Sequence, residues 1–202
     1  CRRTVGYFHL RSIVDRRRAS GKPAPCGSAA TRPLCASHAI QPARMENENS
    51  AMCELIDRYK GQTAIFIADR GYENYNIFAH VEHKGMYYLI RVKDITSNGI
   101  TSKLTMLPES GEFDEWVNVT LTKKQTNEVK ANPKKYRVID KKTPFDYLDL
   151  HFNNFYEMKM RVIRFPIPQG SYECIITNLP QDKFNSDEIK RLYAKRWGIE
   201  TS

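Results

Sequence analysis

The chain has 202 residues, 41% of them hydrophobic and 11% aromatic, which suffices for one domain or for one domain with an insertion. It contains no apolar run of about 18 residues, so we expect no transmembrane helix. Its five cysteines lack the spacing of a disulfide framework, which indicates a reducing, cytosolic setting. Residues 1–38 hold eight Lys or Arg and one acid, and so carry +7 of the net charge of +9. Basicity therefore favours nucleic-acid binding only weakly for the rest of the chain.

Residues 1–38 also differ in composition from everything that follows. They are rich in Arg, Ala, Ser, Pro and Gly and show little periodicity, so we predict a basic, disordered segment. Such a segment either lies on DNA as a basic arm or is an unstructured tail, and the composition favours the tail.

From Ile40 onward the pattern is typical of an α/β fold. We predict a helix over 42–59, a strand buried on both faces over 63–68, a helix over 74–84 capped by Gly85, and a strand over 86–92. Strand, helix and strand within thirty residues indicate a βαβ unit in a parallel or mixed sheet.

Residues 94–170 alternate between apolar and polar positions instead. Period-two alternation at 116–121, 148–152 and 158–162 predicts strands with one wet face, which we interpret as an antiparallel β-rich insertion. A more buried strand is predicted over 172–177, and a final helix begins near Ser186 as its N-cap. The predicted core is therefore made of residues 39–93 and 171–202, with residues 94–170 inserted into it.

Asp69 is the first candidate functional residue. It directly follows a buried strand, and ligands of open α/β sheets gather at the carboxyl ends of strands. A turn aspartate that caps the next segment is an equally good interpretation of this residue alone.

The second candidate group is Tyr193, Arg196 and Glu200, which share one face of the predicted final helix at i, i+3 and i+7. A carboxylate binds Mg²⁺ through oxygen, and a guanidinium grips phosphate with two hydrogen bonds. Taken alone, the group is better interpreted as a surface helix with an Arg–Glu pair.

Together these features match a known pattern. Tyr193-x2-Arg196-x3-Glu200 resembles the Y-x2-R-x3-E-x6-K signature of bacterial DDE transposases of the insertion-sequence-four family. The segment 68–72, Ala-Asp-Arg-Gly-Tyr, resembles the one that carries that family's second catalytic Asp. Segments 87–93 and 184–190 also look like the family, so the resemblance runs from about Ile40 to Ser202.

The resemblance implies a ribonuclease H-like mixed sheet with helices, interrupted by a β-rich insertion. It implies an Asp, Asp and Glu triad that holds two Mg²⁺ ions for cleavage of transposon ends and strand transfer into target DNA. Carried over by position, Asp69 is the second catalytic metal ligand and Glu200 the third, while Tyr193 and Arg196 hold the DNA phosphate. The implied partners are double-stranded DNA and, by analogy, a second copy of the chain, in the bacterial cytoplasm at the nucleoid and not at a membrane.

Three departures from the family are evident. Asp15 is the only acid in residues 1–38, and it does not lie in a strand followed by Asp-Gly-Ser, so the first catalytic Asp is unassigned. The signature's Lys would fall beyond Ser202, and residues 1–38 do not resemble the family. We therefore expect a transposase remnant, inactive as an isolated chain, in which residues 1–38 are translated in a shifted frame or the gene is truncated.

Two alternatives remain open at this stage. A non-catalytic DNA-binding remnant of the same fold would use the basic arm, and a metal-dependent phosphatase is a weaker option. His80 and His83 on a predicted helix, with His151 on a strand, could bind zinc only with a cysteine at fitting spacing, so surface histidines are the preferred interpretation. For Trp197, core packing is favoured over a DNA contact.

Overall fold

The computed structural model describes residues 6–9, 47–61, 63–149, 154–168 and 170–200, with side chains from Asn47 to Ala194. Seven described strands form one mixed sheet: β1 (Gly6–His9), β2 (Ala64–Ala68), β3 (Tyr87–Val92), β4 (Phe113–Thr122), β5 (Tyr136–Val138), β6 (Tyr156–Pro166) and β7 (Tyr172–Thr177). The described α-helices are α1 (Glu48–Arg58), α2 (Tyr75–His83), α3 (Asn127–Ala131) and α4 (Ser186–Glu200).

The predicted βαβ unit is confirmed as β2, α2 and β3. All five residues of β2 are buried, and β2 runs parallel to β3 with Ala68 opposite Ile90. Asn74 caps the start of α2 through its side chain, and Gly85 follows the helix with a φ of 64°, a conformation that favours glycine. Because both strands run the same way, their carboxyl ends meet at one edge of the sheet.

The first predicted helix is shorter than expected. Its described part begins at Glu48, because Asn47 accepts hydrogen bonds from the backbone amides of Asn49 and Ser50 and so caps it. Residues 42–46 of the predicted helix lie outside the described residues.

Strands of the predicted insertion join the same sheet as the core strands. The order is β1-β2-β3-β7-β6-β4-β5, in which β6 pairs with both β7 and β4 in antiparallel fashion. The short β5 runs parallel to β4, so the antiparallel prediction holds for β4 and β6 only. The sheet is thus continuous between the segments predicted as core and as insertion.

Helices cover both faces of this sheet, an arrangement compatible with a ribonuclease H-like fold. One face packs against α1 and α2 around Ile56, Phe78 and Tyr88, the last two with stacked rings 4.9 Å apart. The opposite face packs against α4, whose Ile189, Leu192 and Tyr193 lie on side chains of β2, β3, β6 and β7. The alternation of side chains along a strand divides the core between the two faces.

Two local predictions differ from the structure. Asn185, not Ser186, caps α4, because its side chain accepts from the Glu188 amide while the Glu188 carboxylate accepts from the Asn185 amide, which makes a capping box. In the predicted strand 148–152, Leu148 lies outside any strand, Asp149 makes a single bridge, and the other residues lie outside the described part.

Candidate active site at the carboxyl ends of strands β2 and β3

Asp69 lies where the sequence predicts, immediately after β2. Its side chain accepts from the Arg70 amide at 2.7 Å and thereby caps the 3₁₀ turn Arg70–Tyr72. The carboxylate is nevertheless 39% exposed. The capping interpretation is therefore correct, and it leaves Asp69 at the surface of the sheet edge.

Arg91 on β3 connects Asp69 to a second carboxylate. Its Nε donates to Asp69 Oδ1 at 2.9 Å, and its Nη1 donates to Glu173 Oε1 at 2.8 Å. Burial lowers the pKa of Arg91, but Tyr193, Asp69 and Glu173 outweigh this effect and raise the pKa above its ordinary value. The guanidinium is thus a fixed positive charge between two carboxylates on neighbouring parts of the sheet.

Tyr193 of α4 joins this group from the helix side. Only 4% of the residue is exposed, and it packs with Ile67, Leu89 and Leu192. Ile67 lies two residues before Asp69 and Leu89 two residues before Arg91, so Tyr193 packs on the face of the sheet to which Arg91 belongs. The structure therefore brings Tyr193 to the strand that Asp69 follows, although the two residues lie far apart in the sequence.

The course of α4 across the sheet explains this meeting. Near its start, Ser186 donates to Asp114 on β4 at 2.6 Å, and the Lys190 ammonium lies 5.2 Å from the ring centre of Phe165 on β6. Tyr193 packs with Leu89 on β3 and Ile67 on β2. Since β3 stands between β7 and β2 in the sheet, the helix advances from β4 toward β2.

The remaining predicted residues lie further along this helix. The backbone of α4 continues to Glu200, whereas the side chains of Arg196, Trp197 and Glu200 are outside the described residues. Seven residues of helix cover about 10 Å, so Glu200 lies roughly two turns beyond Tyr193 along the axis.

Sequence reasoning missed Arg91 and Glu173 as members of the site. The alternation of β3 offered one signal, because Arg91 is a charged residue within an otherwise apolar strand. Glu173 gave none, since its proximity depends on the antiparallel pairing of β3 with β7, in which Val92 faces Cys174. Register between strands that are eighty residues apart is not readable from local pattern.

Asp69 suits a divalent metal by its chemistry. Carboxylate oxygens are the ligands that Mg²⁺ prefers, and Asp69 is exposed at the edge that α4 approaches. Within the described part of the chain, no cluster of three or more His, Cys, Asp or Glu side chains could hold a metal ion. The side chain of Glu200 lies outside the described part.

The preferred interpretation of the helix histidines is wrong for His80. This residue is 6% exposed, and its Nδ1 and Nε2 each lie 2.9 Å from a carboxylate oxygen, of Asp57 and of Asp146 respectively. The ring therefore joins α1, α2 and the segment after β5. His83 is exposed and stacks on Tyr147 at 3.9 Å, while His151 lies outside the described residues.

Strand β1 occupies the sheet position next to β2. It runs parallel to β2 with His9 opposite Ile67, so its carboxyl end points to the same edge as Asp69. The sequence that follows is Leu10-Arg11-Ser12-Ile13-Val14, which contains no carboxylate. Four residues of the segment predicted to be disordered thus form a strand, and the rest of that segment lies outside the described residues.

Comparison with known proteins gives one assignment. None of the helices in the described ranges is long and apolar enough to cross a bilayer. No curated protein matches the chain. The sequence model of the transposase DDE domain matches residues 31–202. This range includes β2, β3, the sheet edge with Asp69 and all of α4. Because this match covers most of its length, the chain belongs to the family of DDE-domain transposases.

Proposed function

We propose that the chain is part of an insertion-sequence-four transposase that cuts transposon ends and joins them to target DNA. The observation that carries this proposal is the packing of α4 on β2 and β3, where Tyr193 lies with Ile67 and Leu89, each two residues before a member of the Asp69–Arg91 pair. The Tyr193-x2-Arg196-x3-Glu200 spacing lies on that helix, and helical periodicity predicts one face for its three residues.

Asp69 and Glu200 are the proposed metal ligands. When bound, Mg²⁺ would activate a water for attack on the phosphodiester and stabilise the leaving oxygen. Arg91 holds the Asp69 carboxylate through a 2.9 Å hydrogen bond from Nε, and Glu173 in turn holds Arg91. These contacts fix the orientation of Asp69 before any ligand binds.

The proposed phosphate ligands are Arg196 and Tyr193. Arg196 supplies a planar guanidinium that matches two phosphate oxygens. Tyr193 is 4% exposed, so its proposed contact with the phosphate is through the phenol group alone and not through a broad contact surface. Since a transposase must bring two transposon ends together, we propose a homodimer on double-stranded DNA, in the bacterial cytoplasm.

The isolated chain is expected to be inactive as a nuclease. Residues 10–14, which directly follow β1, contain no carboxylate, and the next acid, Asp15, is not in an Asp-Gly-Ser context, so we expect only two of the three acids that hold the metal pair in the resembling family. Loss of a metal ligand removes most two-metal catalysis. Incubation of the purified chain with supercoiled DNA and Mg²⁺ should leave the DNA intact, and reproducible nicking that is abolished by Asp69→Asn would contradict this expectation.

Metal binding tests the two assigned ligands without requiring activity. We expect Mn²⁺ titration of the purified chain, followed by calorimetry or electron paramagnetic resonance, to show affinities at least about tenfold lower in Asp69→Asn and Glu200→Gln. Asp182→Asn and Glu109→Gln are matched controls, since both residues are exposed and lie in loops. Equal affinities in all four variants would exclude the assigned ligands.

A non-catalytic DNA-binding remnant is the second candidate. The absence of an acid in residues 10–14, which directly follow β1, and the charge of +7 in residues 1–38 favour it. The two functions separate in a full-length member of the family, where Asn and Gln at the positions of Asp69 and Glu200 should abolish transposition but spare DNA binding. Intact transposition in those variants would exclude the enzymatic assignment.

A further inference from the structure

A cleft of about 550 Å³ lies beside the candidate active site. One wall is formed by the turn after β2 and the residues that follow β3, and the other by β5 and the segment after it. Arg70, the immediate neighbour of Asp69 in the chain, lines this cleft, whereas Asp69 itself does not. The segments predicted as core and as insertion both contribute to it.

The lining of the cleft is positively charged. Four cationic side chains line it: Arg70, Lys93, Lys103 and Arg137. Among the described residues none of the four forms an ion pair, and Lys93 donates only to the carbonyl of Asn98.

The two acids of the lining form no ion pair with these cations among the described residues, so four cations against two acids leave an excess of positive charge. The Glu73 carboxylate accepts from the backbone amides of Lys93 at 2.8 Å and Ile100 at 2.5 Å. Gly99 permits this approach, since a Cβ there would lie 2.5 Å from Glu73 Oε1. The Asp140 carboxylate accepts from the Lys142 amide at 2.8 Å. Both acids therefore hold the backbone of the walls in place.

Arg137 is set into the wall of the cleft with Tyr75. Its Nε and the Tyr75 hydroxyl are both buried, and neither meets hydrogen-bond geometry with an atom of the described residues. Burial raises the pKa of Tyr75 to about 12, against the opposing effect of the neighbouring guanidinium, so the phenol stays a neutral hydroxyl. The wall thus holds an arginine whose buried Nε has no acceptor among the described residues, beside a neutral phenol that interacts with the guanidinium.

The chemistry of this lining selects an anion. Guanidinium groups match phosphate oxygens with paired hydrogen bonds, and lysines add point charges. Buried donors without an acceptor are costly unless a ligand supplies one. A single phosphate is much smaller than 550 Å³, so the cleft has room for a phosphodiester with its flanking sugars.

We propose that this cleft binds a backbone phosphate of the DNA duplex. The phosphodiester bond next to this phosphate then reaches Asp69. Its identity as a nucleic-acid site rests on the proposed function, whereas the anion site rests on the cleft alone. Arg137 and Lys103 grip the phosphodiester from the side of the inserted segment, and Arg70 guides the strand toward the carboxyl ends of β2 and β3. The contact carries no sequence information, because it is made to the backbone.

The test is duplex binding by the full chain in EDTA, measured by fluorescence anisotropy with a 30-base-pair duplex between 50 and 200 mM salt. We expect the double variant Arg137→Gln/Lys103→Gln to bind about tenfold more weakly at low salt, with the slope of log K against log salt smaller by about 2. Lys60→Gln/Lys183→Gln removes the same charge from exposed positions outside the cleft and is the matched control.

Equal losses in the cleft variant and the control, or an unchanged salt slope, would overturn the proposal, as would the absence of duplex binding by the parent chain. The single variant Lys103→Gln should fold normally, because Lys103 is exposed, and it therefore guards against a binding loss caused by misfolding. It should lower the slope of log K against log salt by about 1. Inorganic phosphate is also added at constant ionic strength. If it competes with the duplex, the cleft is a general anion site. Because EDTA removes divalent metal, this experiment tests anion binding by the cleft without testing metal binding by Asp69 and Glu200. The two proposals can therefore fail independently.

Discussion

The arginines of β6 and the cations of the cleft differ in their partners. Those of β6 are paired with carboxylates, whereas those of the cleft form no ion pair among the described residues. On β6, Arg161 is fully buried and donates to Asp114 from Nε at 2.6 Å and from Nη2 at 2.5 Å. Arg164 is 5% exposed and binds Asp94 in the same bidentate manner. In the cleft, Arg137 has a buried Nε without any acceptor among the described residues.

This difference separates structural charge from charge that is available to a ligand. A buried arginine whose hydrogen bonds are all made inside the chain fixes elements to one another, and has nothing left to bind. Arg161 also donates to the Phe184 carbonyl at 2.6 Å, so it anchors the turn that leads into α4. The cations of the cleft form no ion pair among the described residues, which favours a role in binding.

The largest expected effect is the loss of the carboxylate that pairs with Arg161. Asp114→Ala leaves a fully buried guanidinium without its partner and removes the acceptor of Ser186 at the start of α4. We expect the free energy of unfolding to fall by about 3–5 kcal/mol in urea titrations. Asp182→Ala is the control at an exposed position, with an expected change below about 0.5 kcal/mol. A loss under about 1 kcal/mol in Asp114→Ala would show that the pair does not fix the helix.

The second effect concerns Asp94 and depends on pH. Hydrogen bonds from Arg164, above all, hold the pKa of this carboxyl well below its usual range, against the effect of burial. A depressed pKa stabilises the fold above the unfolded value of about 3.9, and this contribution is lost as the pH falls from there through the folded pKa.

We therefore expect Asp94→Asn to lower stability by about 2 kcal/mol at pH 7. The difference from the parent chain should shrink steadily as the pH is lowered from about 5 toward 2. Urea midpoints measured across this range provide the check. A difference that is independent of pH would contradict the ionised pair.

The smallest expected effect is the loss of Arg137. Arg137→Met keeps the length of the side chain and removes a guanidinium that makes no ion pair among the described residues, so stability should change by less than about 1 kcal/mol. Thermal unfolding beside the Asp114→Ala variant checks the contrast directly. A loss above about 2 kcal/mol would show that Arg137 is structural like Arg161.

Sequence alone predicted the parts of the fold and the site that depend on local pattern. The buried run 64–68 and the capped helix 75–83 are local signals, and so is the acid that directly follows the first of them. The order of the sheet was not predictable, because the pairing of β6 with β7 joins a predicted insertion to a predicted core.

The partners of buried charges were equally beyond sequence reasoning. His80 binds Asp146, which lies 66 residues away, and Arg161 binds Asp114 at a distance of 47 residues. Both pairs are set by long-range packing, which a periodicity of 2 or 3.6 residues does not contain. The assignment of Glu200 depends, in contrast, on its helical spacing from Tyr193.

Convergence of positions 69 and 200 on one divalent ion is tested most directly by replacing Mg²⁺ with Fe²⁺ and generating hydroxyl radicals at the bound metal with ascorbate and peroxide. Backbone cleavage of the purified chain should occur both near Asp69 and near Glu200, should be competed by Mg²⁺, and should disappear at both positions in Asp69→Asn. Cleavage at only one of the two segments, or equal cleavage in the parent chain and Asp69→Asn, would contradict a shared metal site.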